Sequence, residues 1–124
     1  MKFCWVTINV RDIDTSIHFY TSVLELEVHR RFTPMPDTEI AFLGDVDSGT
    51  EVELIHSTRT AEVAFGKDIS LGFEVPSLET MQQKLAQLGI PVHAGPFQPN
   101  PSLRFIYILD PNGLRVQLVE HVKA

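Results

Sequence analysis

The sequence predicts an α+β fold made of two tandem βαβββ modules within one domain, residues 1–124, the modules lying at about 3–56 and 69–119. Three observations predict it. The chain matches itself at a shift of 65 positions, which places Val10 on Val75, Phe32 on Phe97, Pro34 on Pro99, Pro36 on Pro101 and Asp45 on Asp110. A fixed self-match over tens of residues marks a duplicated structural unit. Near the end the shift drops to 64 and aligns Val52-Glu53-Leu54 with Val116-Gln117-Leu118, as if the second copy had a shorter last turn. Each half also shows one helical stripe among several alternating segments. Finally, 124 residues suit one domain, which buries roughly two thirds of its unfolded surface and needs no metal or disulfide merely to fold.

From Phe3 to Val10 the chain alternates, with Val6, Ile8 and Val10 on one face and Trp5, Thr7 and Asn9 on the other. That is a half-buried strand. Cys4 shares the parity of Val6 and Ile8, so it is expected to pack under a helix. Asp12 and Asp14 offer an N-cap, and Ile17, Tyr20 and Leu24, with Phe19 and Val23, supply a helical stripe. Strands are expected near Glu27–Phe32, Glu39–Leu43 and Glu51–His56. The second half repeats this order. Ile69–Val75 is a strand, and Ser77 caps a helix with stripe Leu78, Met81, Leu85 and Leu88, stopped by Gly89 and Pro91. Strands follow near Val92–Phe97, Leu103–Leu109 and Leu114–Val119, the last two joined by the turn sequence Asp110-Pro111-Asn112-Gly113. Thr33–Thr38 and Gly95–Ser102, each with Pro-x-Pro, are expected as loops rimming a cavity.

Alternation assigns Val6, Ile8, Val52, Leu54, Leu71, Phe73, Val116 and Leu118 to the face beneath the helices. The opposite face holds an aromatic, small residues, amides and acids, a composition better suited to lining a cavity than to a core.

Composition excludes several functions. Apolar residues are 44% and charged residues 21%, so the chain is not disordered. Net charge is −6, with ten Lys and Arg scattered along the chain, which does not make a phosphate-neutralising surface; no nucleic-acid partner is expected. The longest apolar run, Phe105–Leu109, is far short of the roughly 20 residues a bilayer needs, so no membrane partner is expected. The apolar N-terminal segment breaks at Thr7 and Asn9, too early for a signal peptide, and one cysteine forms no internal disulfide. Together these features point to the cytoplasm.

The segments Ile8-Asn9-Val10-Arg11-Asp12-Ile13 with Phe19-Tyr20, Phe73–Glu79, and Asp110–Leu118 resemble the vicinal oxygen chelate superfamily, which holds glyoxalase I, the bleomycin- and fosfomycin-resistance proteins and the extradiol dioxygenases. The resemblance covers nearly the whole chain and is not specific for one activity. It implies the glyoxalase/bleomycin-resistance/dioxygenase-like fold, with each sheet curling around a cavity, and a homodimer. It also implies four metal-ligand positions, one on the first and last strand of each module, which fall here on Trp5, Glu53, Ser70 and Gln117. The enzymes mostly hold His, Glu, His and Glu there. In this chain only Glu53 is an ordinary ligand. Gln117 offers a carbonyl oxygen, Ser70 is a weak ligand, and the Trp5 indole has no lone pair to give. No metal cofactor is therefore expected, the alternative being a weakly held magnesium or calcium ion at Glu53 and Gln117.

The five histidines do not rescue the site. His56 lies on the opposite face of its strand from Glu53, His18 is on the first helix, His29 and His93 follow the helices, and His121 is in the tail. Parity and the family pattern instead turn Ile40, Phe42, Phe105 and Tyr107 to the cavity with Trp5. Rings beside Glu53, Ser70, Arg115 and Gln117 suit a small aromatic or cationic organic molecule. The expected function is binding of such a ligand without a catalytic metal; filling of a collapsed cavity by the same rings is the bland alternative. The enzymatic alternative is a glyoxalase-like lyase or isomerase, or a dioxygenase, with Glu53 as general base and Arg115 as the one electrophile on that face. Against a glutathione substrate, the arginine that glutathione-dependent members place near the end of the first strand is Asn9 here. A third reading is a ligand-free module whose dimer is the functional unit.

Overall fold

The computed structural model describes residues 1–47, 49–60 and 62–122. The chain divides into two units, Met1–Ala64 and Phe65–Ala124. The first contains β1 (Trp5–Asn9), α1 (Ile13–His18) continuing into a π-helical turn (Phe19–Val23), β2 (Glu27–Met35), β3 (Thr38–Gly44) and β4 (Glu51–Ser57). The second contains β5 (Ser70–Glu74), α2 (Leu78–Leu88), β6 (Ala94–Asn100), β7 (Leu103–Leu109) and β8 (Arg115–His121). The sheet orders are β1-β4-β3-β2 and β5-β8-β7-β6. In each sheet the first and last strands of the module run parallel and the remaining pairs are antiparallel. Both units are thus βαβββ modules with one strand order, as the internal repeat requires.

Local chemistry sets the helix ends. The Asp12 carboxylate accepts from Thr15 N at 2.8 Å, and the Ser77 hydroxyl accepts from Thr80 N at 3.2 Å. Glu120, reaching from β8, adds a second cap by accepting from Leu78 N at 2.6 Å. Gly89 stops α2 in the left-handed region at φ 72°, with Ile90 N donating to Leu85 O and Gly89 N to Ala86 O. At the β7–β8 turn, Asp110 Oδ1 accepts from Asn112 N and Leu114 N, both at 2.8 Å.

The helix-side faces form the core. Ile8, Ala41, Leu43 and Leu54 are buried in the first unit, and Ile106, Ile108, Val116 and Leu118 in the second. Full burial of one such Leu or Ile contributes about 1.5–3 kcal/mol.

Several expectations are corrected. The first helical stripe is Ile13, Ser16, Phe19, Tyr20 and Val23, while Ile17 and Leu24 are only half-buried. The stripe keeps three- and four-residue steps, and the helix ends in a π-helical turn where Leu24 N donates to Phe19 O. Leu88 is exposed because Gly89 ends the helix there. Cys4 is exposed: it precedes β1, and its carbonyl alone is tied to β4, accepting from Glu51 N at 2.9 Å. The Pro-x-Pro segments are largely strand: β2 runs through Pro34 to Met35, and β6 carries Pro96 and Pro99. Both are edge strands with register shifts, where a missing N–H costs the ladder little. His121 closes β8 rather than lying in a tail, and His93 precedes β6.

Candidate functional site

In the first unit the parallel register pairs Trp5 with Glu51, Thr7 with Glu53 and Asn9 with Ile55. The antiparallel register adds Phe42 opposite Glu53 and Ile40 opposite Ile55. Trp5, Thr7, Phe42, Glu51 and Glu53 therefore share the helix-free face. Trp5 is 43% exposed, and its ring meets Phe42 edge-on, with centroids 5.0 Å apart. Phe42 is 4% exposed, stacked at 6.3 Å on Phe32 and covered by the Arg30 guanidinium 3.9 Å from its centroid. Phe42 is thus the floor of this face and Trp5 its exposed ring.

The two acids differ. Glu51 accepts both Arg30 terminal nitrogens at 3.0 Å and lies 2.7 Å from His29 Nδ1. Burial pushes its carboxyl up, but the His29 and Arg30 contacts outweigh burial and hold it below its ordinary value. Glu53 accepts one hydrogen bond, from Thr7 Oγ1 to Oε1 at 2.5 Å. Among the described residues it has no cationic partner, and Oε2 accepts nothing.

In the second unit Ser70 pairs with Arg115, Gly72 with Gln117 and Tyr107 with Gln117. Phe97, Phe105 and Tyr107 form a ring cluster with centroids 5.4–6.4 Å apart. The Arg115 guanidinium lies 4.2 Å from the Tyr107 centroid, and its buried Nε has no hydrogen-bond partner among the described residues. A side chain at Gly72 would sit 3.5 Å from Gln117 Oε1, so glycine leaves that amide open on one side.

The four family ligand positions do not fit a transition-metal site. Trp5 offers no lone pair, and Ser70 and Gln117 are neutral oxygen donors. Among the described residues, no three His, Cys, Asp or Glu side chains gather as a metal would require.

Sequence reasoning placed Thr7 on this face by parity, without a role, and missed His29, Arg30, Phe32 and Phe97 as parts of these faces. Adjacent His29 and Arg30 both reach Glu51 because a register shift between Val28 and Arg30 breaks the alternation. A separate cleft of about 270 Å³, lined in part by Arg11, His56, Ser57 and Glu62, opens beyond the ends of β1 and β4. There His56 Nδ1–H donates to Val10 O at 3.0 Å and Arg11 donates to Val63 O at 3.2 Å. No helix among the described residues is long and apolar enough to cross a membrane.

A family model for the Glyoxalase/Bleomycin resistance protein/Dioxygenase superfamily matches residues 2–118. The chain belongs to that superfamily. It is similar to a lactoylglutathione lyase from Oryza sativa subsp. japonica, 31% identical over 95% of this chain; the match spans 44% of that relative's length. Among solved structures it resembles a glyoxalase family protein from Bacillus cereus, with TM-score 0.83 and 22% identity over 99% of this chain and 95% of that one. It also resembles an antibiotic-binding protein from a Streptomyces species, with TM-score 0.77 and 16% identity over 98% and 96% of the two chains. These structural likenesses establish the fold.

Proposed function

We propose that this protein binds a small aromatic or cationic organic molecule on the helix-free face of the first unit's sheet and does not transform it, without a resident transition metal. The observation that carries the reading is the exposed Trp5 ring on a Phe42 floor beside Glu53, at a position where family enzymes hold an imidazole ligand. An aromatic ring gains about 1 kcal/mol from such an edge or stacking contact beyond area burial. The second unit carries an aromatic-polar face of its own, with Arg115 over Tyr107 and the Gln117 amide beside them. Ser70 adds a hydroxyl beside Arg115. The antibiotic-binding structural neighbour supports the reading by showing that the fold accommodates binding. We further propose that the protein works in the cytoplasm as a homodimer, which light scattering at micromolar concentration tests.

Trp5 is the one tryptophan, so its fluorescence reports on a ligand library. Saturable quenching or a spectral shift in wild type is the expected result, and calorimetry should show affinity several-fold weaker or more in Trp5→Ala. The similarity to a lactoylglutathione lyase favours a second reading, a glyoxalase-like enzyme with Glu53 as general base. Turnover of the methylglyoxal–glutathione hemithioacetal, lost in Glu53→Gln, would replace the binding reading with that one.

A further inference from the structure

Glu51 and Glu53 lie two residues apart on one strand and face the same way, yet their surroundings are opposite. Arg30 and His29 occupy Glu51. Among the described residues the hydrogen bond to Glu53 comes from the Thr7 hydroxyl, which donates to Oε1 at 2.5 Å, the length of a hydroxyl–carboxylate bond. Thr7 is β-branched and sits within β1, directly opposite Glu53 in the parallel register, so its χ1 is restricted and the hydroxyl is held in place. Oε2 accepts nothing among the described residues. Phe42 lies opposite Glu53 across the β3–β4 ladder and meets the exposed Trp5 ring. The guanidinium near this face, that of Arg30, is already matched by both Glu51 oxygens.

Resting on the binding reading above, we propose that Thr7 is a positioning residue that fixes the Glu53 carboxylate with Oε2 open, and that the pair selects an aromatic cation bearing N–H donors over its neutral isostere. The ring lies against Trp5 while the cationic N–H donates to Oε2. A carboxylate pinned through one oxygen loses less freedom when its other oxygen is bound, which makes Thr7 part of the selectivity rather than part of the contact. Glu51 cannot serve the same end, because its oxygens are already taken.

Benzamidine and benzamide, planar probes of nearly equal shape that differ in charge, test this through Trp5 fluorescence. Wild type should bind benzamidine about tenfold more tightly than benzamide, the loss expected when a charged hydrogen bond is replaced. Thr7→Val should lower the ratio several-fold, Thr7→Ser should restore it, and Glu53→Gln, which removes the charge, should abolish it. A ratio near one in wild type, or one preserved in Thr7→Val, overturns the proposed selectivity. The Thr7–Glu53 contact has its own readout without ligand, the side-chain carboxylate 13C resonance of Glu53, assigned by its loss in Glu53→Gln. That resonance should move in Thr7→Val and stay in place in Thr7→Ser; an unmoved resonance in Thr7→Val overturns the positioning claim. If neither probe binds wild type while the resonance behaves as stated, the ligand reading and the cation selectivity fail and the positioning of Glu53 stands.

Discussion

Replacing Phe42 by alanine removes a ring that is 4% exposed and that touches Trp5, Phe32 and Arg30. Truncation of a buried Phe costs about 3–5 kcal/mol, from lost transfer energy and the cavity left behind. Trp5 is 43% exposed, and its ring meets the edge of Phe42 at 5.0 Å. Trp5→Ala should therefore cost about 1–2 kcal/mol, of which the ring–ring contact is about 1. For a chain of this length 1 kcal/mol moves Tm by roughly 3–6 °C, so the two variants should separate clearly in a thermal melt. Urea unfolding followed by far-UV circular dichroism gives both costs without relying on tryptophan emission. The double variant should show a coupling of about 0.5–1.5 kcal/mol, because the residues touch. If Trp5→Ala costs as much as Phe42→Ala, Trp5 is core in solution and the face it anchors is closed. If the coupling vanishes, the edge contact is not what holds the indole in place.

Three other outcomes follow from the geometry. The Leu78 N–H, and then Arg104, hold the Glu120 carboxyl below its ordinary value of 4.5. The folded value is thus below the unfolded one: the stabilisation is fully present above the unfolded value and is lost as pH falls through the folded value. Glu120→Gln should flatten the acid limb of the urea midpoint against pH and lower stability at neutral pH; an unchanged acid limb would show that the cap is not made. Gly89→Ala meets no atom within 4 Å but must adopt φ 72°, so it should cost about 1 kcal/mol in equilibrium unfolding, with no loss at all counting against the left-handed stop. Dialysis against a chelator should leave no stoichiometric zinc, nickel or iron and no change in Tm, and elemental analysis that finds one bound metal per chain would refute the donor-set argument for Trp5, Glu53, Ser70 and Gln117.

The fold was legible because its determinants are local and repeated. Ser77, Gly89 and Asp110-Pro111-Asn112-Gly113 announce a helix start, a helix stop and a turn by side-chain chemistry alone, and each does that job through the hydrogen bonds described. Strand parity set Ile8 with Leu54 and Val116 with Leu118 on the helix side. What periodicity could not supply was any departure from a period. The buried stripe runs through Ile13 and Ser16 and not Ile17 and Leu24, the helix turns π-helical at Phe19–Val23, and the register shift in β2 brings neighbouring side chains to one acid. Exposure of Cys4 was hidden for a simpler reason: parity carries meaning only inside a strand, and β1 starts one residue later.

The site was half legible, and the half that escaped explains its chemistry. The duplication preserves register, pairing Trp5 with Glu51 and Thr7 with Glu53 in one sheet, and Ser70 with Arg115 and Gly72 with Gln117 in the other. At matched positions the modules therefore exchange an acid for a cation and a hydroxyl for a glycine. Glu51 is matched by the Arg30 guanidinium and bonded by His29, both on β2, whereas Arg115 rests on the Tyr107 ring. Glu53 has a hydroxyl to orient it, whereas Gln117 faces a backbone without a side chain. The matched positions thus differ in charge, size and hydrogen-bonding sense, and each unit carries a face of its own chemistry: an oriented acid beside the Trp5 ring in the first, a cation on the Tyr107 ring in the second.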